Sequence, residues 1–207
     1  IGGDADVHAF SGRAGIFECD NVDLIAFLPI QAIGGGRGVT TNDIWGWTDP
    51  QSDRDYAIVG MRDGTAFVDI TDPYVPVFVG KLPQSADSPA SLWRDIKVFG
   101  TRAYAVSEGG DGIQVISLAN IDAGVATLEN TVTSGGTAAS HNVVINEDSG
   151  YLYRCGGSSN GLRFYDLNTN PASPTYIGSW ATKYVHDAQV VTYPAGTPWA
   201  GREIAFL

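Results

Sequence analysis

Two stretches decide the fold: NDIWGWTDP at residues 42–50 and YAIVGMRDGTAFVDITDP at residues 56–73. Short runs of Val, Ile, Phe, Tyr and Trp alternate there with Gly, Asp and Pro, which is typical of β-strands separated by tight turns. Gly64, in the turn Arg-Asp-Gly-Thr, provides the positive φ that such a turn requires between the second and third strands. The pattern therefore predicts four short strands, at residues 43–47, 56–60, 66–70 and 77–81.

The pattern recurs along the chain. The first strand of each repeat begins at Asp43, Asp95, Asn142 and Asp187, so successive repeats start 52, 47 and 45 residues apart. Two further columns recur at steps of 48 and 49 residues: the turn glycines Gly64, Gly112 and Gly161, and the polar residues Asp69, Ser117 and Asp166. Four antiparallel strands repeated about every 45–50 residues are typical of a β-propeller blade. A β-sandwich is the alternative, but it gives no reason for a column-by-column repeat.

The sequence thus predicts an all-β protein, a β-propeller of four-stranded antiparallel blades with about three and a half blades present. Residues 37–207 hold this partial propeller, with blades from about residues 42, 94, 141 and 186, and residues 1–36 form a leader that packs on it. Propellers close with about 4–8 blades. We therefore expect the remaining blades to come from a longer chain or from partner chains.

The amino-acid composition argues against some classes of function. The chain has 207 residues and a net charge of −11, with 18 Asp against 5 Glu and 9 Arg against 3 Lys. This balance favours turns over helices, and it argues against a nucleic-acid partner, which needs clustered Lys and Arg. No apolar run approaches the roughly 18 residues of a membrane span. The two cysteines, Cys19 and Cys155, leave open whether a disulfide forms.

The strongest candidate site lies where the innermost strands begin. In a propeller these strand starts gather at one mouth of the central channel, so polar residues far apart in sequence converge there. Imidazole beside carboxylate suits a transition metal, and carboxylate with carbonyl oxygen suits Ca²⁺. The predicted ligands of a divalent cation are Asp43, Asp95, His141, His186 and Asp187, and the predicted ligand-binding neighbours are Asn42, Arg94 and Asn142.

The same residues have a structural interpretation. Asp and Asn at strand starts also cap turns and join neighbouring blades by accepting hydrogen bonds from backbone amides. No nucleophile-elbow, zincin, P-loop or dinucleotide-binding motif accompanies these residues. No catalytic residue is therefore predicted.

Several strings resemble a known family when taken together: CDNVDLIAFLPI from residue 19, the two stretches quoted first, WRDIKVF at 93–99, SHNVVINEDSGYLY at 140–153 and HDAQVV at 186–191. The chain is similar in these strings to the choice-of-anchor B family of LVIVD-repeat propellers. The resemblance implies a secreted, periplasmic or cell-surface bacterial protein without a defined enzymatic activity. The expected function is a module that binds an extracellular protein or polysaccharide. The alternatives are a metal-assisted hydrolase or lyase acting on an extracellular polymer, and a subunit of an extracellular filament or complex.

Overall fold

The protein is all-β. The computed structural model describes residues 13–14, 17–18 and 24–207, and these form three four-stranded antiparallel sheets and two hairpins. The N-terminal hairpin pairs β1 (Arg13–Ala14) with β2 (Phe17–Glu18). In this described part of the chain, no helix is long and apolar enough to cross a membrane.

The first sheet contains four strands in chain order: β3 (Thr41–Thr48), β4 (Asp55–Met61), β5 (Gly64–Asp69) and β6 (Val77–Pro83). Each strand pairs only with its neighbours along the chain, in antiparallel register. All four strands expected in this unit are present, and their bounds differ from the sequence expectation by two residues or fewer.

The second and third sheets repeat this order. The second contains β7 (Arg94–Phe99), β8 (Arg102–Ser107), β9 (Gly110–Asn120) and β10 (Val125–Val132). The third contains β11 (Asn142–Asn146), β12 (Tyr151–Cys155), β13 (Leu162–Asp166) and β14 (Thr175–Trp180). A C-terminal hairpin of β15 (Gln189–Thr192) and β16 (Glu203–Phe206) begins the fourth unit.

The sheets pack against one another in the order of the chain. The first strands contact in succession, β3 with β7, β7 with β11 and β11 with β15, and the fourth strands β6 and β10 also contact each other. Apolar residues of the first and second sheets share one core, which includes Phe67 and Ile116. The second and third sheets share another, which includes Val115 and Tyr165. Burial of these facing sheet surfaces is what holds neighbouring units together.

The recurring turn glycines have one structural role. Each stands beside the backbone of the fourth strand of its own sheet, where a Cβ atom would collide with the carbonyl oxygen of Leu82, Val132 or Trp180. Gly112 and Gly161 also adopt left-handed conformations, with φ of 64° and 82°. Only glycine meets both requirements without strain.

The recurring polar column lies at or near the end of the third strand of each sheet: Asp69 and Asp166 are the last residues of β5 and β13, and Ser117 lies three residues before the end of β9. Its side-chain oxygens accept a hydrogen bond from the backbone N–H two residues later, at 2.9 Å for Asp69, 3.4 Å for Ser117 and 2.8 Å for Asp166. Such turns give the chain a local alternative to the sheet ladder. The repeat therefore preserves this local hydrogen bond in all three sheets, and in the first and third sheets it coincides with the end of the strand.

The segment before β3 packs on the first sheet. Leu28, Ile30 and Ile33 lie against Ala57 and Val59 on its outer face. The leader expected over residues 1–36 stays a prediction, since residues 1–12, 15–16 and 19–23 lie outside the described residues. Cys19 is among those residues, and the thiol of Cys155 is free and buried.

Candidate functional site

The two predicted histidines lie together at the end of the protein where β7, β11 and β15 begin. The rings of His141 and His186 have centroids 4.0 Å apart, and the ring of Trp93 is 5.4 Å from that of His141. Nδ1 of His141 is 2.7 Å from Oε1 of Glu108. We call Trp93, His141 and His186 the ring cluster. Each of these residues directly precedes or closely precedes a first strand, which is why the fold gathers them.

The ring cluster is open to solvent. Trp93 is 45% exposed. His186 is also exposed, whereas His141 is half-buried between its neighbours. Leu92 adds a further exposed apolar side chain beside Trp93. A grouping of aromatic rings and apolar surface of this kind is typical of binding sites in soluble proteins.

Arg94 faces the interior between the first and second sheets. Its side chain is 1% exposed, and its guanidinium donates hydrogen bonds to Oδ2 of Asp111 at 2.9 Å, Oε1 of Gln114 at 2.9 Å and the carbonyl oxygen of Met61 at 3.2 Å. The geometry therefore assigns Arg94 to a buried ion pair with Asp111 of its own sheet and to a hydrogen bond with Met61 that connects it to the first sheet, away from solvent.

Asn42, the first residue of the same sequence column, also joins these two sheets. Its Oδ1 accepts a hydrogen bond of 3.0 Å from the backbone N–H of Arg94. The side chain thus connects β3 to the start of β7.

The aspartates join first strands in the same manner. Oδ1 of Asp95 accepts the backbone N–H of Ile96, and Oδ2 accepts that of Val143 in β11, both at 2.7 Å. Asp43 is hydrogen bonded equivalently to the backbone of Ile96 in β7. This arrangement matches the structural interpretation of the strand-start residues.

The aspartates also line one cavity. Asp43, Asp95, Asn142 and Asp187 surround a cavity of about 350 Å³. We call it the aspartate cavity. A lysine that was not predicted for this site provides the positive charge in the cavity: Nζ of Lys97 lies 2.6 Å from Oδ1 of Asp95 and 3.7 Å from Oδ2 of Asp43.

The sequence spacing of Lys97 and Asp95 could have predicted that the lysine lies beside the aspartate. Lys97 follows Asp95 by two residues on one strand, and residues two apart in a strand share a face. Its ammonium group also lies 4.6 Å from the centroid of the Trp45 ring, which is a cation–π contact. A lysine therefore supplies positive charge where the sequence analysis expected a metal ion.

The pKa values of Asp43 and Asp95 are shifted in opposite directions. Burial, followed by the hydrogen bond to Asp43, raises the pKa of Asp95 to about 7, against the opposing effects of Lys97 and the Val143 amide. Burial also acts to raise the pKa of Asp43, but hydrogen bonding with Asp95, the charge of Lys97 and backbone amides lower it overall. When two carboxyl groups lie close together, the repulsion between two negative charges disfavours ionisation of both, so one of them retains its proton to a higher pH.

This pair makes stability depend on pH. The folded pKa of Asp95 lies above its unfolded value of 3.8, so its contribution is complete below about pH 4 and is lost as the pH rises through about 7. This rise in the pKa of Asp95 to about 7 corresponds to a loss on the order of 4 kcal/mol. The lowered pKa of Asp43 acts in the opposite direction only below its usual range. Urea unfolding at pH 5, 6, 7 and 8 should show a free energy of unfolding that falls between pH 5 and 7 and levels off above pH 7.

Two variants test the origin of this slope. Asp95→Asn removes the titrating group and should flatten the profile between pH 5 and 8. Asp187→Asn, at the equivalent strand start but exposed, should keep the wild-type slope. An unchanged slope in Asp95→Asn would assign the pH dependence to another group.

The structure separates the predicted ligands into different clusters. His141 and His186 contact each other in the ring cluster, whereas Asp43, Asp95 and Asp187 line the aspartate cavity. The five side chains predicted to ligate one cation thus lie partly in the ring cluster and partly in the aspartate cavity. Among residues 24–207, no group of three or more His, Cys, Asp and Glu side chains is placed to hold a metal ion.

Comparison with known proteins adds no family. No protein-family model matches the sequence, and no curated protein matches it either. What the structure defines is an all-β protein of three packed four-stranded antiparallel sheets and a hairpin. The likeness to choice-of-anchor B proteins remains a prediction from the sequence.

Proposed function

We propose that this protein is a β-propeller module that binds an extracellular protein or polysaccharide through the ring cluster. The observation that carries the proposal is the contact of Trp93, His141 and His186, one ring from each of three successive units, on an exposed surface. Aromatic side chains offer large, rigid contact area at a small cost in conformational entropy, which makes them the anchors of many binding surfaces.

The propeller part of the proposal rests on the way successive sheets pack. Each first strand lies beside the first strand of the next unit, as expected around a central axis. Within residues 24–207 the fourth unit contributes β15 and β16. The neighbouring face of the third sheet is apolar: Ile177, on β14, is 54% exposed, whereas Val79 and Leu82 on β6 pack into a core. We propose that two further strands complete the fourth sheet and cover Phe164, Ile177 and Trp180. An experimental structure of the natural full-length protein tests this arrangement.

Binding through the ring cluster is tested with Trp93→Ala. The variant should bind extracellular polysaccharides or proteins of its host at least tenfold more weakly, because the aromatic anchor is lost. Isothermal titration calorimetry against a panel of soluble polysaccharides and secreted host proteins measures the affinity. Ligands that bind the wild-type protein define the substrate class.

The matched control is Trp199→Ala. Trp199 is 49% exposed, close to the value for Trp93, but packs against Tyr193 at a distance from the ring cluster. Its removal should leave the affinity unchanged. Equal losses in the two variants would show that the ring cluster is not the binding surface.

The enzyme alternative has a different signature. A metal-assisted hydrolase or lyase would contain stoichiometric transition metal, whereas a binding module would contain none or only Ca²⁺. Metal analysis of the purified protein separates the two. Localisation is proposed to be extracellular, periplasmic or on the surface of a bacterium, and fractionation of the native host tests it.

A further inference from the structure

Two arginines are buried side by side in the third sheet. Arg154 on β12 and Arg163 on β13 are directly opposite in register, and they are 0% and 3% exposed. Side chains of directly opposed residues lie on the same face of a sheet, so two positive charges meet inside the protein. We call these residues the arginine pair. Burial and then the charge of Arg154 lower the pKa of Arg163.

The partners of Arg154 are all neutral. Its guanidinium donates hydrogen bonds to Oγ of Ser140 at 2.7 Å, the hydroxyl of Tyr165 at 3.0 Å and the carbonyl oxygen of Thr137 at 2.9 Å. These bonds satisfy the donors of the group but do not compensate its charge.

Arg163 is less well satisfied. It donates to the hydroxyl of Ser159, to Oγ of Ser140 at 3.2 Å and to the carbonyl oxygen of Gly156 at 3.1 Å. Its Nε is buried and has no hydrogen-bond partner. Buried donors of a charged group are rarely left in this state, because the loss of solvation is costly.

A buried arginine at the interface between the first and second sheets has a counter-charge that the arginine pair lacks within residues 24–207. The buried guanidinium of Arg94 pairs there with the carboxylate of Asp111, which directly precedes the turn glycine Gly112. The equivalent residue before Gly161 is Asn160, which is neutral. Among residues 24–207, neither member of the arginine pair forms an ion pair. An uncompensated buried charge is strongly unfavourable.

We propose that the loop between β12 and β13 binds a small oxyanion, namely a sulfate, phosphate or carboxylate group, on the arginine pair. The loop brings hydroxyl groups to the same place: Ser159 contacts Arg163, and Oγ of Ser158 is 2.6 Å from Oγ1 of Thr137 at the surface. The oxyanion displaces the Ser159 hydroxyl from Arg163 and supplies the negative charge that Asp111 supplies to Arg94. The planar guanidinium fork matches the geometry of such oxygens.

Calorimetric titration of the wild-type protein tests the site. Sodium sulfate, sodium phosphate and sodium acetate are titrated separately, with ionic strength held constant by sodium chloride. We expect saturable binding of one anion per chain and a rise in melting temperature that follows the same saturation. Acetate binding as tight as sulfate binding indicates a carboxylate ligand, and weaker acetate binding indicates a tetrahedral oxyanion.

Three variants locate the binding. Arg163→Met should weaken anion binding at least tenfold. Ser159→Asp places a carboxylate beside the guanidinium, so it should also weaken binding at least tenfold while raising the melting temperature in chloride alone. The control Arg202→Met removes an exposed arginine and should bind anions as the wild type does.

Two results overturn the proposal. One is the absence of saturable anion binding to the wild-type protein, and the other is equal affinity in Ser159→Asp and the wild type. Should Arg163→Met fail to fold, the comparison of Ser159→Asp with the wild type and Arg202→Met still decides the question. In the part of the chain that the structure describes, Trp93, His141 and His186 form no hydrogen bond with the arginine pair, so anion binding and ligand binding at the ring cluster are measured by separate variants.

Discussion

Gly161→Ala is expected to destabilise the protein by about 3–5 kcal/mol, a large share of the roughly 5–15 kcal/mol that stabilises a typical domain. Gly161 has a φ of 82°, which is strained for alanine. Its added methyl group would also collide with the backbone of Trp180 on β14. Backbone cannot rotate away as a flexible side chain can, so β13 and β14 must separate locally. Urea unfolding followed by tryptophan fluorescence measures the loss.

A glycine in another strand serves as the control. Gly46 lies in β3 with open space where a Cβ atom would be placed, and it does not have a left-handed conformation. Gly46→Ala should change stability by about 1 kcal/mol or less. Similar effects of the two substitutions would mean that the turn glycines are not constrained as described.

Asp111→Asn is expected to cost about 3–5 kcal/mol, because it leaves the guanidinium of Arg94 buried without a counter-charge. The carboxylate of Asp111 accepts hydrogen bonds from Arg94 at 2.9 Å and from the backbone N–H of Ser85 at 3.0 Å. Burial acts to raise the pKa of Asp111, but hydrogen bonds from Ser88, Arg94 and Ser85 lower it overall. Asp111 therefore stays ionised at neutral pH, and the substitution removes a full charge.

The first sheet provides a matched control for this substitution. Asp63 precedes Gly64 as Asp111 precedes Gly112, but its carboxylate is 38% exposed and pairs with Lys81 at 2.7 Å near the surface. Asp63→Asn should cost about 1 kcal/mol or less, since ion pairs with a partly exposed carboxylate contribute little. If both variants lose the same stability in chemical denaturation, burial of the Arg94 charge is not the cause.

The strands and their order were predictable because local chemistry determines them. Alternating apolar residues and turn residues placed β3 to β6 within two residues of their bounds. The repeat columns then showed that strand starts would converge, and the fold does bring His141 to His186 and Asp43 to Asp95.

The composition of the site was less predictable because side-chain direction decides it. Neighbouring positions such as Arg94 and Asp95 appear together in the sequence, but a strand turns them to opposite faces. The partners Glu108, Asp111 and Lys97 come from positions that the strand-start columns do not contain. Contacts across sheets depend on packing, which the repeat alone does not specify.

The order of strands within each sheet has a consequence for how the chain folds. Every strand pairs with its neighbour in sequence, so each sheet is built from contacts over short stretches of chain, and such topologies fold quickly for β proteins. The first sheet has all of its pairings once residue 83 is reached. On the ribosome, each sheet can therefore form before the next is synthesised. Each new sheet then packs against the preceding one through contacts between their first strands. Folding then proceeds from the amino terminus as a series of nearest-neighbour steps, as in other repeat proteins.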